Sequence, residues 1–227
     1  MHTLRAKSGP FQTRPFYKQD EIERTCSNEL RMVGLLPDKP APVRIDRFIE
    51  KRFGVVHQYI DMPEGVLGFS RFGKRGLEEV VVARSLDEDG SLSSERRIRT
   101  TLAHEAGHAL FQGHLFVLGK KPKALFVDGL DEPKILCREN ESSDVLRTGY
   151  DGKWWEYQAN QAIGSLLLPS DLVEKSIAGL LSTGGPFELK VLDPSLRSRA
   201  IEILAEVFNV NPAAAKARLD LLYPALT

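Results

Sequence analysis

At 227 residues, with 42 % hydrophobic and 27 % charged side chains, the chain can bury one substantial core, and disordered or fibrous classes are excluded. Its 31 basic and 31 acidic side chains cancel, which removes any overall electrostatic pull toward nucleic acid, and no apolar run approaches the roughly 18 residues that span a bilayer. Two cysteines, Cys26 and Cys137, cannot staple a chain of this size, and the N-terminus lacks an apolar stretch with a cleavage site, so reduced thiols and a cytoplasmic location are expected.

Residues 1–18 mix Gly, Pro and basic side chains without periodicity and read as a flexible arm. From Asp20 the apolar residues Ile22, Cys26, Leu30 and Val33 recur at helical spacing, and Gly34 supplies a stop. After the Lys39-Pro40-Ala41-Pro42 turn, Ile45, Phe48, Ile49 and Phe53 predict a second short helix that ends at Gly54. Three strand-like runs follow, Val55 to Ile60, Val66 to Phe72 and Val80 to Ala83, and predict an antiparallel meander.

A polar break from Asp87 to Ser91 leads into a helix from about Ser94 to Gln112. Residues 115–150 alternate short apolar pieces with charged, Gly- and Pro-containing turns, the pattern of a hairpin or lid-like insertion. Trp154 to Leu168 is helical again and is stopped by Pro169, and the remainder reads as helical apart from Thr183-Gly184-Gly185-Pro186. The expected fold is therefore α+β and mainly helical, with a small antiparallel sheet beside the helix of residues 94–112.

That helix carries His104-Glu105-Ala106-Gly107-His108. Two histidines four residues apart on a helix stand about 40° apart around the axis and about 6 Å along it, so both imidazoles can reach one ion. The glutamate after the first histidine is turned by a further ~100° and can face water at the ion instead of binding it. Zinc supplies what peptide hydrolysis needs, a Lewis acid for the carbonyl and an acidified water. Glu105 is then the general base that takes the proton and passes it to the leaving amine. Leu102, Ala103, Ala106, Ala109, Leu110 and Phe111 surround the motif, which marks a buried helix and not a solvated strip.

A single zinc of this type needs a third protein ligand and an open position. His114 lies at the offset where one large class places a third histidine, but Phe111 stands where that class needs a helix-breaking Gly. Glu156 is the better candidate. Ala159, Asn160, Ile163 and Leu167 follow it along one helical stripe, so Glu156 opens the face that meets the core, where an unpaired carboxylate costs several kcal/mol. Asn160, one turn on, is placed to steady a ligand from behind. Tyr150, Tyr157 and His114 are candidates for stabilising the tetrahedral oxyanion.

With these residues in place, the sequence resembles the ImmA/IrrE family of metallopeptidases. Arg99-Thr100-Thr101-Leu102-Ala103-His104-Glu105-Ala106-Gly107-His108 is similar to the family's signature helix. Glu156-Tyr157-Gln158-Ala159-Asn160, continuing to Leu166-Leu167-Leu168-Pro169, is similar to its second motif. The resemblance runs from roughly Asp20 to Leu222 and departs in the long stretch between His108 and Glu156. It implies a zincin-like domain over residues 19–185 with Glu156 as the third zinc ligand. It also implies a regulatory endopeptidase that cleaves a helix-turn-helix repressor or antitoxin, in transcription regulation or a stress response. A cleft edged by the meander's outer strand could hold substrate by strand addition.

Residues 186–227 supply the rival reading. Ile201 to Phe208, then Asn209-Val210-Asn211, then Pro212 to Leu222 read as helix, tight turn, helix, with Asn211 as cap and Pro212 at the first helical position. A DNA-binding or repressor-binding regulator without proteolysis is the alternative. The basic residues of this unit are matched by acidic ones, however, and its second helix offers mostly alanines where base-reading side chains are wanted.

Overall fold

The computed structural model describes residues 2–5, 13–118, 134–138, 153–184 and 189–224. The stretch expected as a free arm contains two antiparallel strands, β1 (His2–Arg5) and β2 (Thr13–Phe16). Helix α1 (Gln19–Met32) buries Ile22, Cys26 and Leu30, the stripe expected from their spacing. Burial also pushes the Cys26 thiol pKa up, as befits an inert packing thiol. Helix α2 (Ile45–Phe53) ends at Gly54, whose φ of 71° is the left-handed cap that glycine adopts most readily.

The sheet is where expectation and structure part. Strands β3 (Gln58–Ile60), β4 (Val66–Gly73), β5 (Gly76–Ala83) and β6 (Lys134–Arg138) lie in the order β3-β5-β4-β6. β4 is antiparallel to β5 and β6, but β3 is parallel to β5, so the sheet is mixed and not an antiparallel meander. The tight turn between Gly73 and Gly76 pairs β4 with β5 directly, and the other edge of β4 is taken by β6 from the insertion. β3 is left with the far edge of β5. Both of those strands run opposite to β4, so their pairing has to be parallel.

Helix α3 (Arg84–Asp89) occupies part of the expected polar break. Helix α4 (Leu92–Phe111) then starts two residues earlier than expected, because the Ser91 hydroxyl accepts the Ser94 N–H at 3.1 Å and caps it. Short helix α5 (Gly113–Leu118) follows, and beyond β6 come α6 (Trp154–Leu167) and α7 (Ser170–Ser176). A ribbon of β7 (Leu181–Gly184) and β8 (Leu189–Leu192) replaces the helix expected there, since the Gly-rich break leaves pieces too short for a stable helix. Helices α8 (Arg197–Val207) and α9 (Pro212–Leu222) end the described chain.

One hydrophobic cluster takes side chains from α1, α2, the sheet, α4, α6, α7, α8 and α9. The C-terminal pair therefore shares the core of the rest. Its turn is tied to α4: Arg96 donates to Asn209 Oδ1 and the Ala205 carbonyl at 3.1 Å each, and Arg99 donates to the Asn209 carbonyl at 3.0 Å. Asn211 holds the cap position of α9, although its side chain closes no cap hydrogen bond. No helix among the described residues is long and apolar enough to cross a membrane.

α4 lies between the sheet and α6. On the sheet side, Gly68 and Ser70 share one strand face, and Thr101 and Glu105 lie one helical turn apart opposite them. A Cβ at Gly68 would stand 2.5 Å from the Val81 carbonyl oxygen of β5 and 2.8 Å from Thr101 Cγ2, so glycine is what lets β4 lie this close to both β5 and α4. On the α6 side, a Cβ at Gly107 would lie 2.9 Å from Ala162 Cβ and 3.0 Å from the Ala159 carbonyl oxygen. Small residues on both helices permit this approach, and it brings the first turn of α6 against the histidines of α4.

Candidate metal centre

His104, Glu105 and His108 are all buried on α4, as the apolar surroundings of the motif predicted. The i, i+4 spacing turns both imidazoles the same way, and their Nε2 atoms face each other at 2.9 Å. Glu156, in the first turn of α6, completes a triangle. Its Oε2 lies 3.2 Å from His104 Nε2 and 3.4 Å from His108 Nε2. These three residues can each offer one ligand atom to a single ion, and among the described residues they form the one such group.

The chemistry of the three atoms favours a cation between them. Glu156 Oε2 is buried and closes no hydrogen bond. Among the described residues, neither Glu156 nor Glu105 has a lysine or arginine as ion-pair partner. Burial alone would push the Glu156 carboxyl up, but the His108 and His104 rings hold it well below the ordinary carboxylate range. Burial likewise disfavours charge on His104, yet Glu156, Glu105 and Asn160 outweigh it and raise its pKa. The electrostatics of the three side chains thus favour a positive charge among them. Two imidazoles and one carboxylate form a donor set that could hold one metal ion.

Glu105 lies beside this triangle and reaches toward the sheet. The Ser70 hydroxyl donates to Glu105 Oε2, while Oε1 is buried without a partner. Burial pushes Glu105 above the ordinary carboxylate range against the pull of both imidazoles, the direction that suits a base working near neutral pH. Nothing in the sequence pointed to Ser70, which a strand remote in the chain delivers.

Asn160 lies beside His104 and favours its protonated form, although Asn160 Oδ1 and His104 Nδ1 are both buried without a closed hydrogen bond. His114 falls on α5 outside the ligand group, half-buried, with its pKa lowered by burial. Tyr157 is exposed, one residue and ~100° of helix rotation past Glu156. Tyr150 lies outside the described residues, as does most of the expected lid.

Two buried glutamines behind His108 were also missed. His108 Nδ1 lies 3.1 Å from Gln112 Oε1, Gln112 Nε2 donates to Gln158 Oε1 at 2.7 Å, and Gln158 Nε2 donates to the Pro15 carbonyl at 2.7 Å. Gln112 could have been found, because it follows His108 by one helical turn on the same face. No protein-family profile matches the chain, and no curated protein matches it.

Proposed function

We propose that this chain is a zinc-dependent endopeptidase with a zincin-like catalytic domain, and that its substrate is a helix-turn-helix repressor or antitoxin. The observation that carries the reading is the convergence of His104, His108 and Glu156 on one point, with a buried carboxylate of raised pKa alongside. The substrate class rests on the resemblance of the two motifs alone. A zinc ion held by the three ligands would supply Lewis acidity for the scissile carbonyl and lower the pKa of water to about 7.

The chain's own groups do the rest. Glu105 Oε1, the oxygen without a partner, takes the proton from the attacking water and passes it to the departing amine. Ser70 holds the other carboxylate oxygen, so Glu105 keeps one orientation through both transfers. The backbone around β4 also limits where an extended substrate can lie, because the edge of β4 beside Ser70 is paired with β6. Strand addition at that edge requires β6 to give way, or the substrate to add on the outside of β6.

The rival reading, DNA recognition through α8 and α9, is weaker on its chemistry. The buried face of α9 carries Ala215, Arg218 and Leu219, with Arg218 paired to Glu23, and the exposed face offers Pro212, Ala213, Lys216 and Leu221 where base-reading side chains are wanted.

Incubation with a repressor encoded beside this protein, with and without chelator, tests the reading. Cleavage is expected only with about one equivalent of zinc bound. Glu105→Gln is expected to keep the metal and lose about 10²- to 10⁴-fold in rate, the span of general base catalysis. Cleavage that survives chelation, or a Glu105→Gln variant as active as the parent, would remove the proposal.

A further inference from the structure

The two histidines of the motif are supported unequally. Behind His104, Asn160 lies beside the ring, but Nδ1 is buried and closes no hydrogen bond. Behind His108 the chain of amides runs through Gln112 and Gln158 to the Pro15 carbonyl, and Gln112 and Gln158 are themselves buried. The order of donors and acceptors along it is dictated from its far end. A backbone carbonyl can only accept. At 2.7 Å from Pro15 O, the Gln158 side chain must therefore present its NH₂, since its own oxygen there would set two acceptors face to face.

Gln158 then has only its oxygen for Gln112, which must answer with its NH₂ at 2.7 Å. Gln112 in turn has only its oxygen for the ring, so the ring nitrogen facing it must carry a proton. The neutral imidazole bears one proton, and it sits on Nδ1. Its lone pair is left on Nε2, the atom that faces His104 Nε2 and Glu156 Oε2.

We infer that Gln112 and Gln158 are positioning residues which, together with the Pro15 carbonyl of the N-terminal ribbon, hold His108 as the Nδ1–H tautomer with its lone pair aimed at the metal. Metal-binding histidines generally donate their second nitrogen to a carboxylate, a backbone carbonyl or water. Here two side-chain amides carry that role from β2 through α6 to α4. The ribbon is thereby part of what prepares the ligand set, and the centre is assembled from three separate parts of the chain. The consequence for affinity rests on the metal-centre reading above, whereas the tautomer does not.

The tautomer is read directly on zinc-free, full-length protein labelled with ¹⁵N-histidine, by long-range proton–nitrogen correlation. Nδ1–H is expected for His108, and Nε2–H as the neutral form overturns the inference. Zinc affinity, measured by competition with a chromogenic chelator, supplies the second arm. Gln112→Leu is expected to weaken zinc about 10- to 100-fold, the usual span for losing such a partner. Gln112→Glu keeps an acceptor for Nδ1 while giving up the bond to the Gln158 oxygen, and is expected to bind zinc less tightly than the parent but more tightly than Gln112→Leu.

A role in packing alone predicts the reverse order, because leucine fills a buried space more readily than a charged carboxylate. A Gln112→Leu variant that binds zinc as well as Gln112→Glu or better therefore sinks the relay. Thermal melting of each zinc-free variant separates loss of fold from loss of ligand orientation. If the parent protein takes up no zinc, the metallopeptidase reading falls, and the tautomer measurement still decides the relay. If the parent binds zinc and cleaves while Gln112→Leu binds equally well, the relay alone falls.

Discussion

Helix α6 has a buried charged cluster at each end, and the two are finished differently. At its C-terminal end Arg218 donates to the Leu168 carbonyl at 2.9 Å and pairs with Glu23 at 2.5 Å, and Glu23 also accepts the Ser170 N–H at 2.9 Å. The charges cancel, and the cation sits where the helix exposes its last carbonyls. Only Arg218 Nη1 is left over. At the N-terminal end Glu156 and Glu105 bring two carboxylates together with two imidazoles. Glu156 Oε2, Glu105 Oε1 and His104 Nδ1 are all without a closed hydrogen bond.

Arg218 is as hidden from solvent as the two histidines, with Glu23 partly buried beside it, so burial alone does not tell a site from a staple. What separates them is the remainder. The Arg218–Glu23 pair is balanced in charge as it stands and fastens α9 to α1 and the end of α6. The histidine cluster is an unbalanced set of acceptors, and the natural completion of such a set is a cation.

The sharpest way to break this contrast is to remove one partner of the complete pair. Arg218→Met strands Glu23 partly buried without its cation and is expected to cost about 3–5 kcal/mol in urea denaturation. Zinc affinity of the folded fraction should be unchanged, because the lesion lies at the other end of α6. A cost under about 1 kcal/mol would mean that the pair is no staple.

Gly107→Ala acts between the clusters, at the contact of α4 with α6. Overpacking there is expected to cost about 1–3 kcal/mol, and moving α6 outward takes Glu156 away from both rings. Stability and zinc affinity should therefore fall together. A variant that loses stability but binds zinc normally would show that the close helix contact is not what sets the ligand geometry.

The smallest effect is a separation in pH. Zinc needs His104 unprotonated, and its pKa in the zinc-free protein is raised above 6.5. Affinity is therefore full above that raised value and declines as pH falls through it. Glu23 behaves differently. Burial works against its charge, but Arg218 and the Ser170 N–H outweigh this and lower its pKa below 4.5. Its contribution to stability is present above the unfolded carboxylate value and is lost as pH falls through the lower folded one. Acid titration should release zinc, followed with a chelating dye, well before circular dichroism reports unfolding. Coincident transitions would mean that the two clusters are energetically one.

Local pattern alone made α1, α2, α4 and α6 legible, because their apolar residues recur at helical spacing and Gly54 and Pro169 mark boundaries by backbone chemistry, whereas the Ser91 cap that starts α4 went unread. The same logic reached the ligand set. His104 and His108 share a helix face by spacing, and a carboxylate opening the buried stripe of α6 needs a partner.

Everything that depends on which elements meet was decided only by the folded chain. The parallel pairing of β3 with β5, the capture of the β4 edge by β6, and the ribbon in the supposed arm all follow from competition among strands distant in sequence. Ser70 reaches Glu105, and Pro15 reaches Gln158, across separations that no periodicity records. Sequence determined which side chains turn the same way on one helix, since that is set by the 100° step of the backbone itself. Which side chains stand behind them, and hence how each ligand is oriented, was settled by packing between helices and strands, where the shape and charge of the whole core choose the neighbours.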